Sequence, residues 1–213
     1  SKVEDEATPQ RQAEAERRSH HGSNGKPPKE RVVNQREFSD FRDLATLPIR
    51  HCVRQLQIQF VSNFFPLDWS WLEFTSGVPH AMHAVHKLLG AETFSEMSGL
   101  VEEDLLDRFG REAQGVGQKE GWLEAPELIS AKPCGILTAE ASGDTEDVTL
   151  RVTPLVLVTE RYMYLREYES IVIKRYQRWT FQQRFFRDGD ASGWMVADVG
   201  GQWYWKRPPA DVL

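Results

Sequence analysis

Residues 68–89 read Asp68-Trp-Ser-Trp-Leu-Glu-Phe-Thr-Ser-Gly-Val-Pro-His-Ala-Met-His-Ala-Val-His-Lys-Leu-Leu89. The apolar side chains Trp71, Phe74, Val78, Met82, Val85, Leu88 and Leu89 recur in steps of three and four, which gathers them on one side of a helix. Pro79 lacks an N–H and pushes Val78 away from helical angles, and Gly77 loosens the same turn. The pattern predicts a short helix to about Ser76, a break at Gly77-Pro79, and a second helix with Pro79 in its first turn. Both halves keep one apolar register, so both need a common surface to press on.

That surface is supplied downstream. Gly90 stops the helix. Thr93 is placed to cap a following helix with Glu96 as its capping-box partner, and Phe94, Met97, Leu100 and Val101 carry the apolar spacing. Glu102, Glu103 and Asp104 favour the start of a further helix that buries Leu105, Leu106 and Phe109. From Leu123 the period changes to two. Leu128 to Ala139 reads as a strand with an edge or bulge at Pro133 and Gly135. Residues 141–147 are a turn. In 148–158, Val148, Leu150 and Val152 alternate with Thr149, Arg151 and Thr153, with Pro154 again marking a bulge or edge. In the long run from Ile171 to Arg187, Ile171, Ile173, Trp179, Phe181 and Phe185 share one parity. Residues 187–193 close a hairpin, and Trp194 to Val199 returns. Helices first and antiparallel strands after is an α+β order, with the helices covering one sheet face.

Upstream, Pro48 to about Phe65 reads as a helix with a wide apolar side that includes Ile58 and Phe65. Arg50 and Arg54 flank it, so Arg50, Arg54, Ile58 and Phe65 form a candidate contact with a membrane surface or a protein. Before Leu47 the chain is rich in Glu, Arg, Gln, Ser, Gly and Pro and nearly free of apolar residues up to Val32. Residues 1–46 are therefore expected to form a disordered polar leader, and 47–213 a single domain.

The 213 residues carry a net charge of −6, and residues 48–130 hold the whole excess with six basic against twelve acidic side chains. Generic polyanion binding by the entire chain is disfavoured. Cys52 and Cys134 stand far apart without CxxC spacing, which argues against metal or redox work. No apolar run is long enough to span a bilayer. His80, His83 and His86 recur every third residue, which spreads them about 120° around a helix and suits solvent better than one metal. His51, Asp68 and Asp198 are the other groups worth locating. No phosphate loop, nucleophile elbow or paired-carboxylate motif occurs, so no catalytic, metal or cofactor residue is assigned. Lys174, Arg178 and Arg184 share one parity of the long strand, with Tyr176 and Phe186 interleaved. Such a face suits RNA phosphates and bases, a protein, or plain solvent. Trp203 and Trp205, flanking Tyr204 beyond the last strand, are a second candidate partner contact.

Several of these segments together carry a likeness. Val53-Arg54, Phe60 to Phe65, Glu73-Phe74-Thr75-Ser76-Gly77, Ala81-Met82, Val85 and Lys87-Leu88-Leu89 resemble the N-terminal part of the Tim44-like domain family. Phe94 to Val101, Arg178 to Phe185 and Gly193 to Ala197 resemble its second helix pair and closing hairpin. The likeness covers about residues 50–200. It implies an NTF2/cystatin-like α+β cone, a chain without enzymatic activity or cofactor, and residence in the mitochondrial matrix after loss of a transit peptide. It further implies a protein partner at the inner membrane, the m-AAA protease being one, with peripheral membrane contact. The large subunit of the mitochondrial ribosome, bound through its RNA or protein, is the other partner it suggests.

Overall fold

The computed structural model describes residues 30–34, 38–63, 69–90, 93–116, 126–144, 146–163 and 170–200. Strand β1 (Glu30–Asn34) precedes helices α1 (Phe38–Ser62) and α2 (Trp71–Gly90), a 3₁₀ turn (Phe94–Met97) and helix α3 (Glu103–Val116). Then come β2 (Glu127–Gly143), β3 (Asp147–Met163), β4 (Ser170–Phe186) and β5 (Met195–Gly200). Strands β2 to β5 pair antiparallel in chain order, and the helices pack on them in an α+β arrangement, although α1 begins on the face opposite α2 and α3 and not on the single face expected.

Regular structure begins earlier than the composition suggests. Residues 1–29 of the expected leader lie outside the described residues. Glu30–Asn34 pairs parallel with Ser170–Lys174, and α1 starts ten residues ahead of Pro48. Because β3 runs along one edge of β4, β1 and β5 divide the other edge between them. A five-residue strand whose two valines are adjacent shows no alternation, and its stability comes from ladder bonds to a distant segment.

The helix expected to break is continuous. α2 runs from Trp71 through Pro79 to Gly90. Its buried residues Phe74, Val78, Met82, Val85 and Leu89 hold one register across the proline, and each fully buried side chain contributes about 1.5–3 kcal/mol. That sum exceeds the cost of about 3 kcal/mol for one interior proline. At the other end, Thr93 caps no helix. Its hydroxyl and its N–H both donate to the Leu88 carbonyl, at 3.3 and 3.0 Å, and so finish α2. The next element is a single 3₁₀ turn.

Parity divides the sheet into two faces. Val148, Leu150, Val152, Val156 and Val158 of β3, with Ile171, Ile173, Trp179, Phe181 and Phe185 of β4, meet α2 and α3 in one core. Leu137, Leu155 and Tyr176 point to the opposite face and meet Leu44 and Leu47 of α1. α1 thus begins on that face, passes edge strand β2, and delivers Ile58 to the main core. The crossing lies at the expected bulge, where the register shifts between Pro133 and Gly135. There the Ile136 N–H donates to His51 Nδ1 at 3.3 Å. A Cβ on Gly135 would lie 3.0 Å from Leu47 Cγ, so the missing side chain is what admits the helix. Pro154, expected at a bulge or edge, sits in central strand β3 opposite Ile136, where the β2–β3 register shifts between Ile136 and Thr138, while the β3–β4 pairing skips Thr153 and Pro154 without changing register. Thr153 and Thr180 hydroxyls bond across the gap at 2.9 Å. On the outer side of β5, Val196 exchanges bonds with Leu100 and Glu102, which closes that edge.

Candidate functional site

One strip of α2 carries Gly77, Ala81 and Ala84, at steps of four and three. Across from it stand Trp69, Leu100, Phe181 and Trp194, and small residues facing large rings leave an open cleft of about 530 Å³. Phe74 anchors its floor, buried to 6% exposure. The Phe74 ring centre lies 5.1 Å from Trp69, 5.1 Å from Trp194 and 5.6 Å from Phe181, the last pair edge to face. The Trp69 indole N–H donates to Gln55 of α1 at 2.9 Å, which fixes one wall. Ser70 Oγ accepts the Glu73 N–H at 3.3 Å and caps the first turn of α2. Ser70, Glu73 and His80 are the polar side chains on the walls, and Glu73 is the one carboxylate among them. An aromatic floor with a single acidic group suits an apolar or aromatic segment carrying a nearby positive charge.

A second group of polar residues lies inside the core and does not line the cleft. Glu160 is 1% exposed. Its Oε2 is 2.7 Å from the Arg175 guanidinium and accepts the Tyr162 hydroxyl at 3.1 Å. Its Oε1 accepts from Gln177 at 3.1 Å, and Gln177 in turn accepts the Trp179 indole N–H at 2.8 Å. His86 stacks on Trp179 with its Nε2 3.8 Å from Glu160. Burial drives the His86 pKa down, opposed by Glu160 and by a hydrogen bond to the Pro126 carbonyl. Trp179 stacks on Phe181 and so stands between this cluster and the cleft. Every carboxylate oxygen of Glu160 is held by a donor, which makes the cluster a structural clasp.

The histidine triplet therefore divides. His80 and His83 are exposed as expected, but His86 is buried. It comes four residues after Met82 and belongs to the apolar stripe, a signal that the three-residue spacing hides. Glu160 shares the inward parity of Val156 and Val158, which is the signal that would have found it.

The expected basic face of β4 is largely occupied. Arg178 donates twice to Asp43 Oδ2, at 3.1 and 2.7 Å, under α1. Tyr176 packs with Leu47 and Leu155, and Arg184 is bound to Asp147 and lies over the Phe186 ring. Lys174 is exposed. On α1, Ile58 is 1% exposed and belongs to the core, which removes it from the surface contact proposed for it. Arg50 pairs with Asp43 at 3.2 Å, and Arg54 donates to Gln57 at 2.6 Å. Asp198 is a surface ion-pair partner of Arg108 at 3.0 Å. His51 is held by Ile136 and Trp71, and burial lowers its pKa. Asp68, Phe65, Trp203 and Trp205 lie outside the described residues.

Among the described residues, no three His, Cys, Asp or Glu side chains are grouped to hold a metal. No helix among them is long and apolar enough to cross a membrane. Compared with models of known protein families and with curated proteins, the chain matches none.

Proposed function

We propose that this protein is a non-enzymatic interaction module of the mitochondrial matrix, with an NTF2-like cone as its scaffold. It docks at the inner membrane on a protease or assembly complex, the m-AAA protease foremost, and holds segments of newly imported or newly synthesised proteins. The observation that carries the reading is the aromatic cleft between α2 and the β4–β5 hairpin. It is apolar and open, with Glu73 as its one charged wall residue, while the buried titratable groups sit behind Trp179, outside its walls. A site of this kind binds by area and shape, with Glu73 selecting a basic residue beside the apolar segment.

The ribosomal alternative stands second. It rests on Lys174, Arg178 and Arg184, and two of these three cations are committed to Asp43 and Asp147. Binding carried by phosphate contacts would fade steeply as salt rises.

The test is affinity capture from detergent-solubilised mitochondria with the wild-type chain and with Ala81→Glu, which places a second charge in the cleft. Recovery of an inner-membrane protease or assembly complex by the wild type, lost with Ala81→Glu, is the expected result. If the wild type captures no such complex, the docking reading fails. Equal capture by both would move the contact away from the cleft.

A further inference from the structure

The side of α1 turned away from the body carries Ile49, Val53, Leu56 and Phe60, exposed by 71%, 45%, 65% and 64%. Their steps of four, three and four follow the alternating spacing of a heptad and trace a narrow seam, the pattern by which one helix packs along another. The inward side of the same helix is already used, by Asp43, Leu47, His51 and Ile58. None of the seam residues lines the cleft.

We infer that this seam is the contact between two copies of the chain, packed as antiparallel α1 helices about a two-fold axis between residues 54 and 55. The spacing reads the same in both directions. Rotation about that axis therefore sets Ile49 against Phe60 of the second copy and Val53 against its Leu56, each pair occurring twice. A two-fold contact demands this self-complementarity, and a larger side chain meets a smaller one in each pair. Beside the seam Ala45, Cys52, Gln57 and Gln59 are exposed and neutral. Arg50 and Arg54 are engaged by Asp43 and Gln57. Of the two, Arg54 keeps its full charge, since Gln57 is neutral, and two cations fall short of the run that an anionic lipid surface would require. Complete burial of these four side chains on both copies would bring the contact to at most about 1,000 Å² in total, the range of weak, reversible association.

The test uses the full chain in sedimentation equilibrium at micromolar concentrations. The wild type is expected at twice 24.5 kDa, and Leu56→Glu at the single-chain mass. Leu56 is exposed in the single chain, so the thermal melt of Leu56→Glu should match that of the wild type once the wild type is diluted to its monomer, which separates lost pairing from lost folding. Antiparallel register is checked separately with Gln59→Cys in a Cys134→Ser background. In that register Cys52 of one copy lies beside position 59 of the other, so a short bis-maleimide should give a cross-linked dimer, and Cys52 alone should give far less. A wild type that stays monomeric at tens of micromolar overturns the inference. So does a dimer that persists in Leu56→Glu, or a wild type that is monomeric and floats with phosphatidylcholine–cardiolipin vesicles through Leu56. Each of these outcomes is independent of whether the cleft captures an inner-membrane complex.

Discussion

Glu160 and Arg175 set the stakes at the residue scale. The carboxylate is 1% exposed and the guanidinium is mostly buried. Arg175→Ala leaves a buried charge with fewer donors, and breaking such a pair costs about 3–5 kcal/mol. Urea melts should show that loss, whereas Arg161→Ala, which removes a surface pair with Glu127, should cost under about 1 kcal/mol. His86 adds a pH dependence. Burial holds its folded pKa below the free value of 6.5, so the unfolded chain binds the proton more readily. Stability is therefore complete above pH about 6.5 and falls as pH drops from there toward 5, by at most about 1.4 kcal/mol per unit for one proton. Glu160, Arg175 and His83 are the other charged or titratable groups acting on it. His51, whose pKa is also lowered by burial, adds a slope of the same sign. Chemical melts between pH 5 and 7.5 should show a shallower slope in His86→Gln than in the wild type.

At the element scale, α1 is held by a few side chains at its first half. Asp43 is 8% exposed and receives both Arg178 and Arg50. Arg178 is 46% exposed, and solvent screening reduces what the pair is worth, so Asp43→Ala should cost about 1–2 kcal/mol. Hydrogen exchange should then speed up in residues 42–50 before it does in α2. α3 offers the opposite case. Gly110 lies inside the helix, and a methyl group added there would meet no atom within 4 Å. Gly110→Ala should raise stability by about 0.5–1 kcal/mol through helix propensity and the unfolded chain. A drop in thermal midpoint would overturn this expectation.

For the whole molecule, the cleft sets stability against binding. Ala81→Leu would fill part of the 530 Å³ space between α2, Phe181 and Trp194. The added burial should raise stability by about 1 kcal/mol, a shift of about 2–4 °C for a chain of this size. Retention of inner-membrane complexes should fall in the same variant. Higher stability with unchanged capture would assign the cleft to packing alone.

Much of this architecture was legible in local pattern. The inward parities of β3 and β4, the bulge at Pro133-Gly135, the hairpin at 187–193 and the apolar stripe of α2 follow from periods of 3.6 and 2 and from turn chemistry. These depend on neighbours a few residues away, so the chain itself determined them. Tertiary structure alone decided the rest. It carried α2 intact through Pro79, because five buried side chains outweigh one missing hydrogen bond. It recruited Glu30–Asn34 as a strand through ladder bonds to β4. It turned His86 and Glu160 inward because donors from Arg175, Tyr162 and Gln177 converge there, and it turned Ile49, Val53, Leu56 and Phe60 outward because the opposite side of α1 is the one that packs on the sheet and the core. The cleft is of the same origin: small residues on one helix and large rings from two other segments make a cavity only when brought face to face.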